Sequence, residues 1–211
     1  KEKLQFFGSS TVSISKTNLI QTGNRDRSLR NRPNITFEQV ERLEGMMQIP
    51  VTISPLNGFD IGKVVFQDRE TEGNVQVLGS DENMLANFSY EVDTGRFFTS
   101  DDVQYARPVC VLGSNLVGIL FPNENPIKKI VKANGRRCEV IGTLKEKGNI
   151  FGFSQDDRIF IPITRGFVVY GGTNRNIDNV SVRVHNPVMI NAAIDELTGR
   201  LRVIRRVEPG D

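Results

Sequence analysis

Histidine is nearly missing from this 211-residue sequence, and the scarcity closes off whole classes of chemistry. The single His185 cannot supply the several imidazoles of the commonest zinc-enzyme sites, and it is the only imidazole open to a Ser-His or Cys-His arrangement. Two cysteines are too few for a disulfide-dense scaffold, and tryptophan is absent. Lys and Arg (27) almost cancel Asp and Glu (25), so the net charge of +2 lacks the basic excess of a dedicated nucleic-acid binder, and no nucleic-acid partner is expected. A membrane-spanning helix needs about 20 apolar residues. The longest apolar stretch here, residues 116–121, is already interrupted by Gly118. Lys1-Glu2-Lys3 leads into only a few apolar residues, too short for the apolar region of a secretory leader. What is present, 38% hydrophobic and 25% charged residues, suits a folded body of one large or two small domains. The low apolar share favours an elongated or two-lobed shape.

The chain opens with alternating polar and apolar residues at 11–15, the pattern of a half-buried strand. Residues 17–33 are polar and carry Arg25, Arg27, Arg30 and Arg32, which reads as an exposed loop. Thr36-x-x-Gln39 is a capping box with Ile35 and Val40 at the staple positions, and Phe37, Val40, Leu43 and Met47 form one apolar stripe. Glu38 and Arg42 stand at the i,i+4 spacing of an ion pair, and Pro50 bars extension of the helix. Strands are expected at 51–54, 63–67 and 74–78, the last two as a hairpin. Residues 84–102 are less regular. A buried strand at 108–113 precedes a short helix that Ser114 can cap and Pro122 ends. Asn134-Gly135, between 127–133 and 136–144, signals a hairpin with a type I′ turn. One more strand is expected at 158–161. Near the end, Val180, Val182 and Val184 alternate with polar residues. Asn186-Pro187 then starts a helix whose stripe is Ile190, Ala193, Ile194, Leu197 and Leu201. Strand-then-helix thus occurs at both ends, with a β-rich block between. The expected class is α+β and two-lobed: two strand–helix units at 1–88 and 177–211, with an inserted β-rich lobe at 89–176.

Reactive constellations are sparse. Gly58-x-x-x-Gly62-Lys63 is one residue short of a phosphate loop and has Val64 where Ser or Thr would hold magnesium. Asp101-Asp102 and Asp156-Asp157 are adjacent carboxylates, which read as caps and turns. His185 falls at a strand end as an edge residue. Cys110 and Cys138 lie in expected strands as buried thiols, with a disulfide as the alternative if the strands are neighbours in an oxidising compartment. Asn34, Asn87 and Asn179 begin glycosylation sequons. Arg200, Arg202, Arg205 and Arg206 crowd the C-terminus, as a helix end, a nucleic-acid patch or a lipid-facing segment. No catalytic, cofactor-binding or metal-ligating set emerges, and no cofactor is expected.

The order of short motifs is more telling than any one of them. It runs through Gly8-Ser9-Ser10-Thr11-Val12, Ile35-Thr36 to Val51-Thr52-Ile53-Ser54-Pro55, Val77-Leu78-Gly79-Ser80 and Gly95-Arg96-Phe97-Phe98-Thr99-Ser100-Asp101-Asp102. It continues with Val109-Cys110-Val111-Leu112-Gly113, Leu120-Phe121, Pro126-Ile127, Asn134-Gly135, Glu139-Val140-Ile141-Gly142, Gly148 and Ile161-Pro162-Ile163-Thr164. This series resembles the periplasmic core domain of MacB-like ABC transporter permeases, a group that includes FtsX-like permeases. One departure is Lys128, where the family usually carries glycine. The resemblance implies an extracytoplasmic domain between the first two membrane helices of an inner-membrane permease. Both chain ends would form its membrane-proximal lobe. It implies a second permease copy as homodimer partner, a cytoplasmic ATPase, an adaptor or outer-membrane protein, and relay of ATP-driven motion without catalysis by this domain. Two other readings stand beside it: a ligand-binding ectodomain of a membrane-anchored sensor, and a hydrolase using Ser114 or Asp156 with His185. The permease reading also expects Lys1 and Asp211 on one face and a monomeric isolated domain.

Overall fold

The computed structural model describes residues 3–6, 10–15, 35–150, 153–171 and 175–205. The expected loop at 17–33, the sequon at Asn34 and the positions of Lys1 and Asp211 lie outside them. In chain order the elements begin with β1 (Lys3–Phe6), β2 (Thr11–Ser15), β3 (Ile35–Thr36), α1 (Phe37–Met46) and β4 (Val51–Gly62). Next come β5 (Val64–Phe66), β6 (Arg69–Glu70), β7 (Val75–Ser80), α2 (Met84–Phe88), β8 (Val92–Gly95), α3 (Ser100–Gln104), β9 (Val109–Leu112) and α4 (Ser114–Leu120). The chain continues through β10 (Ile130–Ala133), β11 (Arg136–Leu144), β12 (Asn149–Ile150), β13 (Phe153–Ser154), β14 (Arg158–Pro162) and α5 (Ile163–Val169). It closes with β15 (Asn176–Ile177), β16 (Asn179–Val184), a 3-10 turn (Pro187–Met189) and α6 (Ile190–Arg205).

Two compact units result: Lys1–Pro55 with Asn174–Asp211, and Leu56–Thr173. Sequence patterning sets the first boundary at 88/89, whereas the contacts divide the chain at 55/56. The physical reason is β4, a single unbroken strand whose residues Leu56–Gly62 pair with β7, which in turn pairs with β14. Residues 56–88 therefore hydrogen-bond into the second unit.

In the first unit β2 pairs antiparallel with β1 and with β16, and β16 lies between β2 and β4. The capping box forms as expected: Gln39 N donates to Thr36 Oγ1 at 3.3 Å and Thr36 N to Gln39 Oε1 at 3.0 Å. Phe37, Val40 and Leu43 are buried on one face of α1, and α1 packs against α6. The α6 stripe is Ala193, Leu197, Leu201 and Ile204, with Ile190 and Ile194 only half-buried. Glu38 bonds Arg175 at 2.8 Å, so the expected Glu38–Arg42 pair gives way to a tertiary one, with Arg175 also over the Phe37 ring. Ser181 is buried, so β16 is covered more fully than an alternating strand requires. Asn186 caps the 3-10 turn by accepting from Val188 N.

The second unit has strand order β4-β7-β14-β9-β11-β10-β5-β6, with β8 joined to β11. β7/β14 and β9/β11 are parallel pairs. The expected β5–β7 hairpin does not form. β5 turns into β6 through Gln67, whose φ is 54°, while β7 sits between β4 and β14. The Asn134-Gly135 hairpin does form, with φ of 45° and 78° and Ala133 opposite Arg136. Leu116 and Leu120 of α4 drop into a core with Val64, Val75, Val131, Cys110 and Ile159. Ser114 does not cap α4: Gly113 is the N-cap residue, and Ser114 stands inside the helix.

Candidate functional site

Two polar clusters of the second unit are its most organised side-chain groups. The first grows from the Gly95-to-Asp102 motif. Thr99 caps α3, and Asp102 at the third helical position returns the bond: Asp102 N donates to Thr99 Oγ1 at 3.3 Å, and Thr99 N to Asp102 Oδ2 at 2.9 Å. The Asp102 side chain has no exposed surface, yet two half-exposed arginines reach it, Arg96 at 2.5 Å and Arg107 at 3.3 Å. Burial pushes its pKa up, but the Arg96 guanidinium together with the Thr99 N–H and hydroxyl outweighs this and holds it at about 2. Such a carboxylate has no proton to give near neutrality, and its bonds to Arg96, Arg107 and Thr99 make it a clamp between strand, helix and loop. Asp101 beside it is exposed. Gly95, at φ 79°, faces Gly142 across β8 and β11, and a Cβ on Gly142 would stand 2.1 Å from the Arg96 carbonyl oxygen. The glycines let the strands close on the motif.

The second cluster joins α2, the 145–148 loop and β14. Arg158 donates to the Tyr90 hydroxyl at 2.7 Å, to Gln155 Oε1 at 2.5 Å and to Gln76 Oε1 at 3.1 Å. The Lys147 ammonium lies 3.8 Å from the Tyr90 ring centroid and donates to the Phe88 carbonyl at the end of α2. Burial and then the Arg158 charge lower Lys147 to about 8, against the pull of Asp156. Burial raises Tyr90. A cavity of about 140 Å³ opens here, lined by Ser89, Tyr90, Glu91, Lys145, Glu146 and Lys147. Pattern reading missed this cluster because Tyr90, Lys147 and Arg158 share no periodicity or spacing. Tertiary bonds gather them: Lys145 N donates to the Glu91 carbonyl, and Lys147 N and Gly148 N donate to the Asp156 carboxylate.

The residues singled out by sequence go elsewhere. Ser114 Oγ is buried with no hydrogen-bond partner among the described residues, so no base there activates it. The Asp156 carboxylate accepts from Lys147 N at 2.9 Å and Gly148 N at 2.7 Å, and Asp157 from Asn115 at 3.2 Å. His185 is exposed, with its Nε2 2.8 Å from Thr52 Oγ1. Gly58 to Gly62 runs within β4, and Lys63 pairs with Glu70 at 2.6 Å, which is no phosphate cradle. Cys110 and Cys138 are free, buried thiols on neighbouring strands; burial, then the Cys138 thiol, pushes Cys110 up. Asn87 and Asn179 are buried, and Asn179 accepts from Ser13 Oγ at 2.7 Å, so neither sequon is open in the folded chain. Arg200 bonds Glu196 at 3.3 Å, and Arg202 and Arg205 occupy the last turn of α6, the favourable end of the helix dipole for cations. Arg206 lies outside the described residues. These arrangements hold structure; among the described residues no group of three His, Cys, Asp or Glu is placed to bind a metal.

The chain is 27% identical over 198 residues to the macrolide export ATP-binding/permease protein MacB of Azoarcus sp. (strain BH72), covering 93% of this chain and 30% of that protein. It is 33% identical over 177 residues to the protein of the same name from Marinobacter nauticus, covering 78% and 26%. The chain therefore spans less than a third of the length of these curated relatives. In fold it matches the crystal structure of the periplasmic region of MacB from Actinobacillus actinomycetemcomitans, with TM-score 0.78 and 24% identity over 94% of this chain and 86% of that one. It also matches the extracellular domain of the noncanonical ABC-type transporter YknZ from Gram-positive bacteria, with TM-score 0.69 and 22% identity over 85% and 89%. The profile of the MacB-like periplasmic core domain matches residues 3–200, and the chain belongs to that family.

Proposed function

We propose that the chain is the extracytoplasmic part of an inner-membrane ABC transporter permease. In this reading it relays ATP-driven motion of membrane helices to the periplasmic side, for export or extraction of a substrate. The observation that carries the reading is the family match over nearly the whole chain. The topology supports it: both ends of the chain build one unit, with Leu56–Thr173 inserted between them. That arrangement suits a chain anchored to a membrane on both sides of the domain, and the terminal unit is then the membrane-proximal one. The clamps described above suit force transmission, because buried, paired polar groups hold elements in register. The domain performs no catalysis of its own. The ATPase sits on a cytoplasmic domain or chain, a second permease copy completes a homodimer, and an adaptor or outer-membrane protein takes the periplasmic side.

The test uses the full-length transporter in membranes. Spin labels at the exposed Tyr105 of each copy should change separation between the ATP-bound and nucleotide-free states. Separations that stay fixed through the ATPase cycle overturn the relay and favour a static ligand-binding ectodomain.

A further inference from the structure

The hairpin of β10 and β11 carries an imbalance that the fold does not resolve. Its inner face, Val131, Ala133, Cys138 and Val140, belongs to the core. Its outer face carries Ile130, Lys132, Arg137 and Glu139, all exposed. Lys132 stands directly across from Arg137. Like charges in that position destabilise a strand pair, and neither residue has a carboxylate partner within the described residues. Of the nearby acids, Glu70 is held by Lys63 at 2.6 Å and Glu124 by Arg69 at 3.2 Å and Lys129 at 3.1 Å, while Glu139, across from Ile130 on the same face, offsets only one of the two opposed cations. A third cation, Lys128, leads into the hairpin at φ 67°, a left-handed conformation that disfavours any side chain, with its N–H fixed on the Val140 carbonyl at 2.8 Å. Ile130 is 48% exposed, and Val65, opposite Lys132 on β5, is half-buried. The face is thus a sheet surface with apolar side chains set among surplus cations.

We propose that this outer face of β10 and β11, with Lys128, Lys132 and Arg137, docks an acidic, extended segment of a partner protein. Carboxylates would separate the opposed Lys132 and Arg137 charges, and apolar side chains of the same segment would cover Ile130 and Val65. A protein segment supplies carboxylates and apolar side chains together and complements the charge of the face, and an anionic lipid surface is the competing outcome of the test. The proposal is independent of the transport reading, because binding is measured on the 211-residue chain itself.

Fluorescence anisotropy with short labelled poly-L-glutamate tests it, beside sedimentation with phosphatidylglycerol vesicles. The expected result is binding at low salt that weakens as salt rises. The Lys132→Glu/Arg137→Glu double variant should lose about tenfold or more in affinity. Lys128→Gly should bind more weakly while its Tm rises, since glycine accepts the left-handed backbone; a residue serving stability alone would not separate the two readouts. Absence of poly-L-glutamate binding, an unchanged affinity in the double variant, or tighter capture by the vesicles overturns the proposal.

Discussion

Asp102 keeps a charge where water does not reach, and the consequence is measurable. Its carboxyl holds at about 2 against an ordinary 3.8, so its proton is lost more readily in the folded chain. The stability this contributes is complete above pH 3.8 and disappears as pH falls toward 2. The shift corresponds to about 2 kcal/mol. Asp102→Asn should therefore destabilise the chain by about that amount near neutrality, with the gap closing in acid; urea unfolding at several pH values measures it. A gap that is constant with pH would mean that Asp102 acts only through its cap. For Lys147 the charged form is the one the fold disfavours. The folded chain releases its proton near 8, while the ordinary value is 10.5, so stability should rise between those limits. An NMR titration of lysine side chains, with Lys147→Met to assign the signal, should show one lysine titrating near pH 8. Gly95→Ala is expected to cost about 1–3 kcal/mol by thermal unfolding, because its φ of 79° and the Ile141 carbonyl oxygen 2.3 Å from an added Cβ leave no room. The acidic pair at 101–102 was legible as a cap. Its two arginine partners were not, since Arg96 and Arg107 reach one carboxylate only after α3 turns between them.

Elements whose causes are local follow their sequence closely. α1 starts where Thr36 and Gln39 exchange bonds, and Thr36→Ala should cost about 1 kcal/mol in denaturant unfolding. The β10–β11 turn is signalled by Asn134-Gly135, and Gly135→Ala should cost about 1–2 kcal/mol, because the penalty is the left-handed backbone and not crowding. Where partners are distant, the pattern misled. Residues 63–67 and 74–78 look like two arms of a hairpin. Yet the turn closes early at Gln67, and β7 is taken up by β4 and β14, whose pairing buries Val75 and Val77. Likewise Glu38 had a suitable cation one turn away in Arg42. It takes Arg175 instead, which adds contact with the Phe37 ring to the ion pair.

At the scale of the whole chain, the inserted unit has a core cluster of buried residues from Val64 to Ile161, with Phe59 and Tyr170 packed against it, all within its own segment. The fragment Leu56–Thr173 should therefore fold alone, with dispersed amide signals in NMR, while the terminal segments require each other because β2 pairs with β16. A fragment that stays unfolded would show that the inserted unit depends on its frame. The 211-residue chain is expected to be monomeric at moderate concentration by light scattering, the permease reading placing most dimer contacts in the membrane part. The α+β class, both terminal helices, the Asn134-Gly135 hairpin and the family were all present in residue order, because caps, apolar periods and left-handed turn residues act within a few positions. The unit boundary inside β4, the partners of Asp102 and the Tyr90–Lys147–Arg158 cluster belong to tertiary structure. They depend on which distant strands share hydrogen bonds, and burial against a partner far along the chain leaves no periodic trace in either segment.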